Sequence, residues 1–170
     1  MSSSSTAVGR GMSLLHLDFK PSGRPPALLR LLLATVLSIG LSLAADAALV
    51  AIGTRVFPST KGYVHFQFHD YARLTVIGIV IACAAWPVVA RVTSAPRWLF
   101  FRLAIVVTAV LLLPDLYILH QGQPARAVCF LMLMHVAIGL ITYNLLVRLA
   151  PVRTATQAAT QAGAQTRHPS

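Results

Sequence analysis

The stretch SLAADAALVAIG, residues 42–53, places one carboxylate inside an apolar segment. It belongs to a longer run, residues 31–54, which lies between Arg30 and Arg55 and carries Asp46 as its single charge. The 24 residues of this run exceed the ~20 that an α-helix needs to cross a bilayer. Because a backbone in lipid must satisfy its own hydrogen bonds, the run predicts a membrane-spanning helix.

Three further apolar runs follow, and each has basic residues at or near its ends. They cover residues 74–90, roughly 98–119, and 127–147. The sequence therefore predicts an all-α fold, an integral membrane four-helix bundle. We expect its helices at about residues 28–54, 71–93, 98–120 and 125–149. The first run is too long for the apolar core of a signal peptide and follows a 30-residue leader, so we expect it to be retained.

Composition and charge agree with a membrane protein. The chain is 56% hydrophobic and 11% charged, against about 25% charged in soluble domains. Its net charge is +10, but the basic residues cluster beside the apolar runs, so we expect no nucleic acid partner. Ten of the 14 Lys and Arg residues lie on the side of both termini, which predicts that both are cytoplasmic. Residues 1–27 and 151–170 are polar and predict two mobile cytoplasmic tails.

Ionisable residues fall at overlapping depths in the predicted bundle. At ~1.5 Å per residue, Asp46 lies in the outer half of the first helix and Asp115 in the outer third of the third. His135 lies slightly outside the centre of the fourth helix, and His69 and Asp70 lie at the outer mouth of the second. The sequence thus directs ionisable groups from four helices into the outer half of the membrane.

Small and hydroxyl residues mark the faces on which these helices would meet, since such residues allow close packing in lipid. A helix-packing polar stripe is formed by Thr35, Ser38, Ser42, Thr108 and Thr142. On the second helix a small-residue stripe comprises Thr75, Gly78, Ala82 and Ala85.

A carboxylate facing lipid at mid-span would cost at least ~2.5 kcal/mol. We therefore expect Asp46 to face the bundle interior, with its carboxylate pointing at the third or the fourth helix, near Asp115 and His135. Two interpretations of this polar cluster stay open. The three groups could share a proton in a functional site or relay, or they could only hydrogen-bond across the interface and hold the bundle together.

Other chemistries have weaker support. His65 and His69 are four apart, but YVHFQFHDY, residues 63–71, alternates like an extended interfacial segment, in which they could not bind one metal together. A haem would need two axial histidines that face each other, such as His135 with His120 or His69, and the sequence does not indicate that any two do. Cys83 and Cys129 lie in apolar runs and predict small buried side chains. We expect no cofactor, no metal and no enzymatic activity, since no catalytic motif is present.

Residues 28–150 resemble a family of uncharacterised actinobacterial four-helix membrane proteins, a domain of unknown function. The resemblance rests on LTVIGIV at the start of the second run, on the Pro114–Asp115 pair and on the Met134–His135 pair. It implies a four-helix bundle in a bacterial plasma membrane and directs attention to Asp115 and His135.

Two functions are compatible with these sequence features. The first is a structural or accessory component of the envelope, in contact with the lipid bilayer and with a membrane-protein partner or a second copy. The alternative is a small proton-coupled transporter that uses Asp46 or Asp115. An enzyme acting on lipid or quinone has no motif behind it.

Overall fold

The computed structural model describes residues 23–93 and 95–154 and shows an all-α four-helix bundle. The helices are α1 (Leu28–Val56), α2 (Phe68–Val92), α3 (Pro96–His120) and α4 (Ala125–Leu149). All four are long and apolar enough to cross a membrane, so the predicted fold class is confirmed. The predicted mobile tails lie almost entirely outside the described residues.

Two short antiparallel strands bring the ends of the described chain together. β1 (Gly23–Arg24) precedes α1 and pairs with β2 (Arg153–Thr154), which follows α4. The chain thus enters and leaves the bundle at one end, which we call the termini end. The opposite end, which holds the α1–α2 and α3–α4 connections, is called the loop end.

The α1–α2 connection is helical rather than extended. It contains two 3-10 turns, Pro58–Thr60 and Val64–Phe66, and α2 begins at Phe68. The prediction of an extended segment is therefore wrong: without a neighbouring strand, local turns satisfy the backbone polar groups. The Thr60 hydroxyl donates to the carbonyl of Phe57 at 2.8 Å, next to the last turn of α1. His69 and Asp70 consequently lie in the first turn of α2.

The helices form a ring in chain order with one diagonal contact. α1 packs most extensively against α4, which also packs against α3, and α2 contacts α1, α3 and α4. The α2–α4 contact separates α1 from α3. Side chains on α1 and α3 therefore meet mainly through groups on α2 or α4.

A cluster of buried apolar side chains fills the termini end, and we call it the apolar plug. Trp86 lies at its centre, fully buried, and its indole N–H donates to the carbonyl of Ala150 at 2.8 Å. The ring of Trp86 packs on Phe100 with centroids 4.9 Å apart. The plug comprises Ala34, Ile79, Cys83, Trp86, Val89, Leu99, Phe100, Leu146 and Ala150.

The expected small-residue face of α2 and the expected burial of the two cysteines each fail at one position. Thr75 of the small-residue stripe is buried and Ala82 and Ala85 are half-buried, but Gly78 is exposed. The buried face of α2 also includes the large side chains of Ile79 and Trp86. Cys83 is buried as expected, but Cys129 lies on the exposed surface, which in a membrane faces lipid.

Candidate functional site

The Asp115 carboxylate and the His135 imidazole form the closest ionisable pair inside the described bundle. Nδ1 of His135 lies 3.0 Å from Oδ2 of Asp115, and it also lies 3.1 Å from the carbonyl of Leu131 on its own helix. In the tautomer that protonates Nδ1, the ring N–H faces two acceptors, and its geometry toward the carboxylate does not meet that of a hydrogen bond. Asp115 is only 6% exposed. The pair joins α3 to α4 in the half of the bundle nearer the loop end.

Asp46 is fully buried and bonds to a different helix from the one expected. Its Oδ2 accepts a hydrogen bond from the Thr75 hydroxyl of α2 at 2.8 Å. The sequence predicted that the Asp46 carboxylate points at the third or the fourth helix; α1 does pack extensively against α4, but the α2–α4 contact keeps it apart from α3. His135 is nevertheless close enough for its charge to act on Asp46 as well as on Asp115. The two polar pairs, Asp46–Thr75 and Asp115–His135, thus lie one on each side of the α2–α4 contact.

Among the other polar side chains of α1, some have a hydrogen-bond partner and others have none within the described residues. Thr35 donates its hydroxyl to the carbonyl of Leu31 at 2.8 Å. Ser38 and Ser42 are fully buried, and neither hydroxyl has a hydrogen-bond partner among the described residues. Oδ1 of Asp46 is unpartnered in the same way. Positions 38, 42 and 46 share one face, so the unsatisfied atoms follow one another along α1.

Polar groups on α3 and α4 continue past the middle of the bundle toward the termini end. Thr142 is buried, and its hydroxyl is also unpartnered within the part of the chain that the structure describes. Thr108 lies against Gly139, and a Cβ added to that glycine would be 2.8 Å from Oγ1 of Thr108. Thr108 therefore marks a close approach of α3 to α4, two turns along α3 from Asp115 and one turn along α4 from His135.

Sequence reasoning missed two groups that the α1–α2 connection brings toward Asp115. Tyr63 has a buried hydroxyl, and Asp115 interacts electrostatically with both Tyr63 and His65. Burial raises the pKa of Tyr63, and the negative charge of Asp115 raises it further. Phe66 is buried against α4 and fixes the connection there. The alternation of aromatic and polar residues at 63–71 was visible in the sequence, but not its folding over Asp115.

His69 and Asp70 pair with each other and stay exposed. Nε2 of His69 lies 3.2 Å from Oδ1 of Asp70, and the two side chains are 61% and 37% exposed. No group of three or more His, Cys, Asp or Glu side chains suited to a metal occurs among residues 23–93 and 95–154. The predicted outer mouth is thus a surface pair in the first turn of α2.

The cluster can hold or exchange protons. It contains two carboxylates and one imidazole, and no Lys or Arg side chain is buried among the described residues. With all three groups ionised, the cluster would carry one uncompensated negative charge in a medium that disfavours it. A proton shared among Asp46, Asp115 and His135 removes that charge without another partner.

Residues 22–152 match the family of unknown function DUF6069. The match covers most of the 170 residues, so the chain belongs to this family. No curated protein and no solved structure matches the chain.

Proposed function

We propose that this member of a family of unknown function is a structural or accessory protein of the bacterial plasma membrane, with its helices held together by buried polar pairs. The observation that carries the proposal is that each buried carboxylate contacts a side chain on a neighbouring helix. Asp46 accepts a hydrogen bond from Thr75, and Asp115 contacts His135. These pairs connect α1 to α2 and α3 to α4. In lipid, hydrogen bonds between helices replace part of the hydrophobic driving force that water would supply.

The apolar plug favours this role over a continuous pore. Asp46, Asp115 and His135 lie in the half of the bundle nearer the loop end, whereas fully buried Ala34, Trp86 and Leu146 close the interior toward the termini end. A closed interior with cross-linking polar pairs is what a stable scaffold requires. Such a protein would act through its lipid-facing surface, on the bilayer or on a second membrane protein.

Orientation in the plasma membrane is part of the proposal. The 10 basic residues on the side of both termini support a cytoplasmic termini end. The pairing of β1 with β2 is compatible with this orientation, because it holds both ends of the described chain on one side. The connection that carries Tyr63 and His65 then faces outward.

A small proton-coupled transporter is the second candidate, and one observation favours it. Oδ1 of Asp46 and the hydroxyls of Ser38 and Ser42 lack partners within the described chain. We use the word clamp for a polar group that only holds two helices together by hydrogen bonding. A clamp gains nothing from neighbouring polar atoms that lack hydrogen-bond partners, because burying such atoms costs free energy. In a transporter, Asp46 or Asp115 would be the group that binds the coupling proton.

Substitution of Asp46 separates the two candidates. Asp46→Asn keeps an acceptor for the Thr75 hydroxyl and removes the charge. If Asp46 is only a clamp, this variant should be about as stable in detergent as the parent. Asp46→Leu leaves the Thr75 hydroxyl without this acceptor and should lower the free energy of unfolding by about 1–3 kcal/mol. Thr75→Val should cost a similar amount, and the double variant should cost less than the sum of the two. Thr54→Val is a matched control, since that hydroxyl bonds only within α1.

The transporter is tested on the same variants in sealed vesicles with a pH-sensitive dye. It predicts proton movement by the parent that Asp46→Asn abolishes without loss of folded protein. The clamp is refuted if Asp46→Leu and Thr75→Val unfold like the parent. The transporter hypothesis is refuted if vesicles with the parent protein and vesicles with Asp46→Asn give the same dye signal as empty vesicles.

A further inference from the structure

A groove runs along the exposed surface where α3 meets α4. Its volume is about 290 Å³, and its wall is almost entirely apolar. The short residues Ala109 and Gly139 leave this space, because neither has a side chain long enough to fill it. The lining includes Phe101, Ile105, Ala109 and Leu112 of α3 and Gly139 and Tyr143 of α4. An empty groove would forfeit dispersion contacts, so in a membrane we expect it to be filled by hydrocarbon.

The dimensions of the groove match one hydrocarbon chain. From Phe101 to Leu112 it follows α3 for ~16 Å, at 1.5 Å per residue. This length is close to half of the ~30 Å hydrocarbon thickness of a bilayer. Dividing the volume of the groove by its length gives a mean cross-section of ~18 Å², or a width of ~4–5 Å. Non-bonded carbon atoms approach to ~3.5–4.0 Å, so a single acyl chain fits, whereas a helix about 10 Å across does not.

One basic side chain lies beside the end of the groove that is nearer the termini end. Arg102 is on the same face of α3 as Ile105 and Ala109 of the lining, because these positions are three and four residues apart. It is exposed, and its guanidinium carbon lies 3.7 Å from the ring centroid of Trp98, one turn nearer the start of α3. The side chain thus extends toward the membrane surface at the termini end, where lipid phosphates lie.

No carboxylate of the described chain pairs with Arg102. All three carboxylates among the described residues, at positions 46, 70 and 115, lie in the half of the bundle nearer the loop end. The termini end instead carries further exposed arginines, including Arg30 and Arg97. A guanidinium binds phosphate through several N–H donors, and the surrounding positive charge favours a lipid with a negatively charged headgroup.

We propose that the groove between α3 and α4 binds one anionic phospholipid of the termini-side leaflet, with an acyl chain along Ile105 and Ala109 and the phosphate on Arg102. The inference gives the proposed function a lipid partner, and it rests on that function only for the placement of the termini end at a membrane surface. The buried pairs of Asp46 and Asp115 take no part in it. A second copy of the chain in the same orientation would bring none of the described carboxylates to Arg102, so charge complementarity favours the lipid.

Native mass spectrometry of the full chain, released from detergent micelles, tests the proposal by counting the lipids bound to each molecule. The probes are palmitoyl-oleoyl phosphatidylglycerol, phosphatidylcholine with the same two acyl chains, and inorganic phosphate. Arg102→Gln removes the guanidinium, and Arg30→Gln is its control, because Arg30 is exposed at the same end but on α1, away from the groove. Ala109→Phe fills the groove, and Val110→Phe adds the same ring to the exposed surface outside it. Helical circular dichroism checks that each variant is folded.

We expect the parent to bind one phosphatidylglycerol several-fold more tightly than phosphatidylcholine, and to bind inorganic phosphate far more weakly than either lipid. Arg102→Gln should remove the difference between the two lipids, whereas Arg102→Lys, which keeps the charge, should retain most of it. Arg30→Gln and Val110→Phe should bind both lipids like the parent. Ala109→Phe should weaken the binding of both lipids several-fold.

Three results would overturn the proposal. The first is equal lipid binding by Arg102→Gln and Arg30→Gln, and the second is equal lipid binding by Ala109→Phe and Val110→Phe. The third is a dimer without bound lipid that Ala109→Phe dissociates, which would assign the groove to a second copy of the chain. None of these results affects the clamp, whose test is the stability of Asp46→Leu.

Discussion

The contact between α3 and α4 at Gly139 provides a sharp steric prediction. A Cβ added at this position would lie 2.8 Å from Oγ1 of Thr108, whereas ordinary van der Waals contact is 3.4–4 Å. Thr108 is β-branched and helical, which leaves it few χ1 rotamers in which to move the hydroxyl away. Gly139→Ala should therefore force α3 and α4 apart or push Thr108 into a strained rotamer.

The expected cost follows from two opposing effects. Overpacking of a tight contact costs about 1–3 kcal/mol. Replacing a helical glycine by alanine returns about 0.5–1 kcal/mol, because less backbone entropy is lost on folding. Gly78→Ala and Gly40→Ala isolate the second effect, since an added Cβ meets no atom within 4 Å at either position. We expect Gly139→Ala to be less stable than these controls by about 1–3 kcal/mol.

Unfolding of the purified protein by SDS in mixed micelles, followed by loss of helical circular dichroism, measures these differences. In a Thr108→Ala background the cost of Gly139→Ala should vanish, because the clashing atom is gone. In a Thr108→Val background it should persist, because a methyl group replaces the hydroxyl. The reasoning is refuted if Gly139→Ala unfolds like Gly78→Ala, or if Thr108→Val relieves the cost as fully as Thr108→Ala.

Three further predictions concern the apolar plug, the loop end and the topology. Trp86→Phe keeps the aromatic packing but leaves the Ala150 carbonyl unsatisfied, so unfolding in SDS should show a loss of about 1–3 kcal/mol; a parent-like curve would contradict it. Tyr63→Phe removes an unpartnered buried hydroxyl and should not reduce stability at neutral pH. Because the folded pKa of Tyr63 is raised, its neutral form contributes stability that is lost as the pH rises above ~10, and thermal melts from pH 8 to 11 should show a smaller decline for Tyr63→Phe than for the parent. Alkaline phosphatase fused after residue 60 should be active and the same fusion after residue 160 inactive; activity of the second fusion would refute the cytoplasmic termini.

The buried cluster shows where sequence reasoning reached its limit. Depth along each helix follows from residue number, so overlapping depths for Asp46, Asp115 and His135 could be read from the chain. The choice of partner could not, because it depends on which helices are neighbours. Asp46 bonds to Thr75, a residue that the sequence singled out only as a small packing residue. Tyr63 approaches Asp115 because the α1–α2 connection folds over the loop end, and no local pattern encodes that approach.

The class of fold, the number of helices and their approximate ends follow from the order of amino acids alone. Lipid imposes these features directly, since a spanning segment must be apolar, about 20 residues long and internally hydrogen-bonded. Only the tertiary structure decided that the α2–α4 contact separates α1 from α3, and that the two acids bond to separate partners, Asp46 to Thr75 and Asp115 to His135. The physical reason is that helix order around a bundle is set by side-chain packing between segments distant in sequence. Hydrophobicity along the chain, which is nearly the same in all four helices, carries no information about that packing.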